Sequence, residues 1–294
     1  AMDCIVVDND GLFTPIEGMD VRQDFSTVTG DDILRRVRNG GVVGLGGAGF
    51  PTHVKLSPRD PAAIRHVIAN GAECEPYLTC NDQLMRTEAD AIVEGLELVL
   101  RLFPNAEGVI CIERNKPEAI AAMQKAAAGK PRMRVMDLKT KYPQGGERSL
   151  IQVVAGVDFP ITKLPADVGC VVANVSTTKA TADAILTGMP LIERVTTVTG
   201  EHIAKPGNYI VKIGTNVQEL VDYCGGITAK DALVKMGGPM MGMAITDLNI
   251  PIAKSYNALT CLVEDPVEIA QKQMTPCIRC GRCVDVCPGH VVPQ

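Results

Sequence analysis

Four cysteines near the end of the chain, Cys277, Cys280, Cys283 and Cys287, follow the spacing C-x-x-C-x-x-C-x-x-x-C-P. Cluster iron needs thiolate sulfur, and three cysteines two residues apart wrap a single tight loop around three corners of a 4Fe-4S cube. A zinc ribbon or a redox dithiol is the competing chemistry, but zinc sites usually divide into two separated pairs. The run therefore points to electron transfer. In ferredoxin-type modules the fourth cysteine, here Cys287, serves the other cluster of a two-cluster pair. No second run occurs in the sequence. We therefore expect a chain cut from a longer protein at both ends, an incomplete cluster site, and a mobile segment over Pro276–Gln294. At the other end, Cys4-Ile5-Val6-Val7 reads as a strand with nothing before it to pair with.

A second group of candidates is glycine-rich. In GLGGAGFPTHVKL, Gly44, Gly46, Gly47 and Gly49 leave main-chain N–H groups bare, so a phosphate or a flavin ring can come close to the backbone. Lys55 would supply the positive charge. The alternatives are a tight structural turn and a solvated lysine. In NGAECEP, Glu73 and Glu75 point the same way if the segment is extended, at a strand end where α/β folds bind ligands. A solvated loop explains the pair equally well. KYPQGGE adds Tyr142 and Glu147 as a wall for a planar ring. His53, His66, His202 and His290 are scattered and give no support to a histidine metal site or a catalytic triad.

These residues need a scaffold, and the pattern around them alternates. Apolar strand-like runs at Ile64–Ala69, Gly108–Ile112, Arg132–Asp137 and Gly169–Asn174 alternate with helical periodicity at Asp31–Arg38, Glu88–Phe103, Pro117–Ala128, Glu147–Ala155 and Ser176–Thr187. Thr29 or Asp31 should cap the first helix and Ser176 the last. That alternation predicts a parallel α/β sheet. Beyond Pro190 the texture changes to strands at Glu193–Thr199 and Gly207–Ile213, a short helix at Val217–Cys224, the glycine-hinged MGGPMMG, and a helix over Asp265–Gln273. This suggests a small β-grasp-like module.

With 46% hydrophobic residues, no tryptophan and 28 glycines, the core must be aliphatic. The formal charge of −5, with no basic run, argues against nucleic acid as a partner. No apolar stretch reaches the ~18 residues of a membrane span, and no signal peptide opens the chain. The cysteines outside the run, Cys4, Cys74, Cys80, Cys111, Cys170, Cys224 and Cys261, read as reduced core thiols.

Taken in order, GLGGAGFPTHVKL, NGAECEPYLTCNDQLM, YPQGGE, NVSTTKATADAI, VTGEHIAKPGNY, MGGPMMG and CIRCGRCVDVCP resemble the C-subunit family of the Rnf electron-transport complex across nearly the whole chain. That family is similar in turn to the flavin-bearing, NADH-oxidising subunit of respiratory complex I. The resemblance implies an α/β fold in four parts. Residues 1–26 are the remnant of a barrel-like domain, 27–190 a Rossmann-like FMN and NAD(H) domain, 191–245 a β-grasp (soluble-ligand-binding, SLBB) domain, and 246–294 the start of a helical 4Fe-4S domain.

By position in these motifs, the resemblance implies that Gly44, Gly46, Gly47, Ala48, Gly49 and Lys55 hold FMN, lined by Asn70, Glu73 and Glu75 and completed by Tyr142, Gly145, Gly146, Glu147, Asn174 and Thr177. Phe50 and the carboxylates Glu75 and Glu147 stand as neighbours of the nicotinamide and ribose. The complex I pattern has arginine where Leu45 stands, aspartate at Ala72, and paired glutamates where this chain has Gly146-Glu147.

The implied role is electron transfer between NAD(H), FMN and 4Fe-4S clusters on the cytoplasmic face of a membrane. The implied partners are membrane subunits, a ferredoxin-type subunit and, indirectly, ferredoxin, in a ferredoxin:NAD+ oxidoreductase. Cobalamin reductases and proline-reductase-associated proteins share this core and remain alternatives, as does a non-catalytic scaffold with a vestigial pocket.

Overall fold

The computed structural model describes residues 5–263, 266–287 and 291–292, and the chain forms two compact units, Ala1–Val263 and Glu264–Gln294. Residues 5–24 contain no helix or strand, and Ile5, Val6 and Val7 are exposed. The strand expected over Cys4–Val7 is therefore absent from its described part, Cys4 lying outside the described residues. With no neighbouring strand, its backbone groups gain nothing by leaving water.

The first module begins with α1 (Gly30–Asn39), where the Thr29 side chain accepts from the Asp32 N–H and the Asp32 carboxylate from the Thr29 N–H. This capping box satisfies two otherwise unpaired donors and turns Ile33 and Val37 inward. The glycine loop leads to the one-turn helix α2 (Thr52–Lys55), then β1 (His66–Asn70), α3 (Cys80–Thr87), α4 (Ala89–Leu100), β2 (Glu107–Glu113), α5 (Pro117–Ala126), β3 (Met133–Leu138), α6 (Glu147–Ala155), β4 (Cys170–Asn174) and α7 (Val175–Leu186). The strands form one parallel sheet in the order β3-β2-β1-β4.

Both faces of this sheet are buried. Val67, Ala69, Ile110, Ile112 and Val171 pack toward α3, α4 and α5, while Ile68, Val109, Cys111, Cys170 and Val172 pack toward α6. A strand buried on both sides needs an unbroken apolar run, which explains VIA, VICI and CVVA. Each fully buried aliphatic contributes about 1.5–3 kcal/mol. Helices α4 and α7 cross so closely at Gly95 that a Cβ there would lie 2.1 Å from the Thr178 carbonyl oxygen.

Three sequence expectations change. Asn174, not Ser176, caps α7: its side chain accepts from the Ser176 N–H at 2.8 Å, because the strand ends one residue before the helix begins. Helix α3 was not foreseen. The second module, β5 (Glu193–Thr199), β6 (Gly207–Lys212), α8 (Val217–Tyr223), β7 (Leu233–Met236), β8 (Met243–Ala244) and β9 (Ala258–Leu262), extends past residue 245. In its sheet order, β6-β5-β9-β7-β8, the strand β9 is central, parallel to β5 and antiparallel to β7, and all five of its residues are buried.

The second unit contributes α9 (Pro266–Lys272), the described part of the helix expected over Asp265–Gln273, and α10 (Arg282–Asp285) within the cysteine run. Asp265 lies outside the described residues. No helix among the described residues is long and apolar enough to cross a membrane.

Candidate flavin site

The sheet order places a topological switch between β1 and β4, since the chain runs from β1 outward to β3 and returns on the other side of β1. Ligands of open parallel sheets bind at the carboxyl ends of strands at such a point. Here those ends are Asn70 and Asn174, which face each other in register. A cavity of about 250 Å³ opens beside them. Its walls are Gly44, Gly46, Ala48 and Phe50 from the glycine loop, Thr52, Lys55 and Leu56 from α2 and its end, and Gly145, Glu147, Val172, Ala173 and Thr177 from the sheet edge and the starts of α6 and α7.

The glycine loop is a fixed turn. Val43 bridges Pro51, the Gly44 N–H donates to the Phe50 carbonyl at 2.8 Å, and the Gly49 N–H to the Gly44 carbonyl at 3.2 Å. Gly47 and Gly49 take φ of 117° and 64°, a region that disfavours side-chain-bearing residues. The Leu45 side chain is buried, and its N–H donates to Thr177 Oγ1 at 2.8 Å. The N–H groups of Gly46, Gly47 and Ala48 meet no acceptor among the described residues. Free amides of this kind form a receptor for an anion.

Across the cavity, Lys55 Nζ donates to Glu147 Oε1 at 3.0 Å and to the Val172 carbonyl at 2.9 Å. Asn70 Nδ2 donates to the Gly145 carbonyl at 2.9 Å, and Asn174 Nδ2 to the Asn70 carbonyl at 3.4 Å. These bonds fix the rim without any ligand. The loop residues Gly46 and Ala48 with their unpaired amides, the partly buried Lys55 and the N-termini of α6 and α7 border one concave surface, and that donor set fits a phosphate-bearing flavin.

Six of the expected residues do not border the cavity: Gly47 and Gly49 belong to the turn of the glycine loop, and four more lie on other segments. Glu73 is buried, and its carboxylate accepts from the N–H groups of Asn81 at 3.0 Å and Asp82 at 3.2 Å, so it caps the start of α3. Burial holds its carboxyl above the usual range, with the amides pulling the other way. Glu75 accepts from the N–H groups of Met240 at 3.1 Å and Met241 at 2.8 Å. The MGGPMMG turn is shaped around that carboxylate: a Cβ on Gly238 would lie 2.1 Å from Glu75 Oε2. The two carboxylates thus diverge. Tyr142 and Gly146 lie on the neighbouring loop and do not border the cavity.

Thr52, Leu56, Val172 and Ala173 line it without having been singled out. Thr52, three residues before Lys55 on α2, is at a spacing that marks it as a neighbour of the lysine.

A larger cavity, about 670 Å³, lies behind the loop between α3, α7, β5 and β6. Its lysines are paired, Lys179 with Asp183 at 2.8 Å and Lys212 with Glu193 at 2.5 Å, and Arg194 also borders it, but it lies away from the glycine-loop residues Gly44, Gly46 and Ala48 and from the strand ends Asn70 and Asn174.

In the second unit, Cys277, Cys280 and Cys283 are exposed and Cys287 is half-buried. The Arg279 N–H donates to Cys277 Sγ at 3.3 Å, and Gly281, with φ of 77°, starts α10. Among the described residues no three potential ligand side chains converge as a metal site. The other described cysteines are free thiols, and burial pushes Cys80 and Cys111 up to about 12 and Cys170 and Cys261 to about 11. Such thiols are inert at neutral pH.

Residues 37–183 match the Nuo51 FMN-binding domain family. The chain belongs to this family. Residues 195–244 match the SLBB domain, in agreement with the β-grasp expectation.

Among characterised relatives, the chain is 42% identical over 290 residues to the C subunit of the proton-translocating ferredoxin:NAD(+) oxidoreductase complex of Clostridium ljungdahlii, covering 99% of this chain and 63% of that protein. It is 41% identical over 291 residues to the C subunit of the Na(+)-translocating ferredoxin:NAD(+) oxidoreductase complex of Acetobacterium woodii, covering 98% and 65%. The resemblance to C subunits is therefore borne out, and the chain spans somewhat under two thirds of these relatives. A chain of the NAD+-reducing [NiFe]-hydrogenase in its H2-reduced state shares the fold, with a TM-score of 0.69 at 23% identity over 84% of this chain and 49% of that one.

Proposed function

We propose that this Nuo51-family chain is the FMN- and NAD(H)-binding core of an electron-transfer subunit in a membrane-associated ferredoxin:NAD+ oxidoreductase. The observation that carries the proposal is a switch-point cavity lined by Gly46 and Ala48, whose amides meet no acceptor among the described residues, together with Lys55, in a chain 42% identical to the C subunit of one such complex.

When bound, flavin supplies the exchange between the two-electron hydride of nicotinamide and the one-electron steps of iron–sulfur clusters. The loop amides and Lys55 bind and orient its phosphate, with Lys55 exchanging part of its contact with Glu147 for the incoming anion. Thr177 keeps the loop in place through the Leu45 N–H, and Asn70 and Asn174 hold the rim. Phe50, 48% exposed at the mouth, offers an apolar face to a planar ring, with Glu147 beside the nicotinamide and ribose. Glu75, engaged by the Met240 and Met241 amides, anchors the β-grasp turn to the first module. Cys277, Cys280 and Cys283 would hold one 4Fe-4S cluster and Cys287 a neighbouring one, and these would supply one-electron transfer toward a ferredoxin-type subunit and membrane subunits on the cytoplasmic side.

The test is anaerobic titration of the chain with FMN, followed by NADH. Quenching of flavin fluorescence at one FMN per chain, then bleaching by NADH, is the expected result. No binding at roughly 100 μM FMN, a Kd too weak for a resident cofactor, would favour the scaffold alternative.

A further inference from the structure

Two basic side chains of the second module end on the glycine loop of the first. Arg194, in β5 and 5% exposed, donates from Nη2 to the Leu45 carbonyl at 3.2 Å, from Nη1 to the Lys254 carbonyl, and from Nε to the Val195 carbonyl at 3.4 Å. Lys254 donates from Nζ to the Gly41 carbonyl at 2.7 Å, at the start of the loop. The approach is close: a Cβ on Gly41, whose φ is +59°, would lie 2.9 Å from Lys254 Nζ.

Every acceptor is a main-chain carbonyl, and neither cation forms an ion pair among the described residues. Burial lowers both, Arg194 to about 10, as expected of cations held without a counter-charge.

The position of the first contact matters. The Leu45 carbonyl shares its peptide plane with the Gly46 N–H, and in a trans peptide the two point in opposite directions. By holding that carbonyl, Arg194 turns the Gly46 N–H away from itself. Gly46 borders the flavin cavity, whereas Leu45 borders the larger cavity behind the loop, as does Arg194. The loop is thus pinned on both sides of Leu45, by Thr177 at the N–H and by Arg194 at the carbonyl. A buried guanidinium bonded only to neutral carbonyls leaves its whole charge to act on whatever occupies the far side of the loop.

We propose that Arg194, assisted by Lys254, is a positioning residue that aims the Gly46 N–H into the cavity and makes the site select phosphate-bearing flavin over flavin without phosphate. The proposal rests on the flavin reading above and adds that the β-grasp module completes the cofactor site.

The experiment compares FMN with riboflavin, which lacks the phosphate, by fluorescence titration of the wild-type chain and of Arg194→Gln, Arg194→Lys and Lys254→Gln, with the apo-protein melting midpoint recorded for each. Loss of a charge-assisted interaction predicts that Arg194→Gln weakens FMN by about tenfold or more while riboflavin changes by less than about threefold. Arg194→Lys should recover part of the FMN affinity, and Lys254→Gln should lower the FMN-to-riboflavin preference by a smaller factor.

Equal weakening of both flavins, or no change in either, would overturn the proposal while leaving flavin binding intact. If the wild-type chain binds neither flavin, both readings fall. Should Arg194→Gln not fold, the preference measured in Lys254→Gln decides: an unchanged ratio overturns the proposal.

Discussion

The flavin cavity and the cysteine run are the two regions marked for redox chemistry, and they are built by opposite means. At the cavity the protein supplies its own order: Thr177, Asn70, Asn174 and Lys55 bond backbone and side chains into one rim, backed by a sheet buried on both faces. At the run, three cysteines stand exposed around a short loop and a four-residue helix, and the Arg279 N–H donates to the Cys277 sulfur. A site for an organic cofactor can be shaped by packing, because the ligand adds to surfaces that already exist. A cluster site draws its order from the metal, since binding free energy there is also folding free energy.

This contrast can be broken or sharpened by substitution. The largest effect is expected from Cys280→Ser in the chain reconstituted anaerobically with iron and sulfide: the cluster iron, about four per cluster, should be lost while bound FMN is unchanged. Iron analysis beside flavin absorbance checks it, and unchanged iron would remove Cys280 from the cluster. Next comes Gly95→Ala. The new methyl group would meet the Thr178 main chain at 2.1 Å, so α4 and α7 must separate, at a cost of about 3 kcal/mol or more in denaturant unfolding. Because α7 carries Thr177, FMN binding should weaken as well.

Lys55→Met should raise the FMN Kd by about ten- to a hundredfold, with little effect on the melting midpoint, since its pairing with Glu147 is half exposed. The smallest effect concerns pH. Glu113 is buried at the end of β2, neither carboxylate oxygen has a well-formed hydrogen bond, and burial raises its carboxyl above the usual range. The folded chain therefore holds a proton that the unfolded chain releases above the ordinary glutamate value. Stability contributed by the protonated form is full below that value and lost as pH rises through the folded one. Glu113→Gln should flatten the decline of the melting midpoint toward alkaline pH. An unchanged slope would show that Glu113 titrates normally.

Much of the scaffold was legible because local patterns carry it. The runs around Ile68, Val109 and Val172 are too apolar and too short for surface helices, and Gly156, at φ of 69°, ends α6 as helix-stopping glycines do. The glycine loop, Lys55, Glu147 and the two asparagines do meet at one cavity. What escaped the sequence is non-local. Helix α3, CNDQLMRT, is short and mostly polar, and its cap, Glu73, reaches it from the preceding loop. The partner of Glu75 lies in the Met240–Met241 turn, and the partner of Leu45 in Arg194 on another module. Spacing along the chain says nothing about such pairs. The central strand β9 was missed because ALTCL, four apolar residues and a threonine, is equally compatible with a buried helix or loop.

A crystal structure of the chain soaked with FMN tests the central claim most directly. Flavin density beside Asn70, Asn174 and Thr177, with the phosphate on the Gly46–Ala48 amides and Lys55, is the predicted result. Density confined to the larger cavity behind the loop, or none with the glycine loop unchanged at saturating FMN, would contradict it.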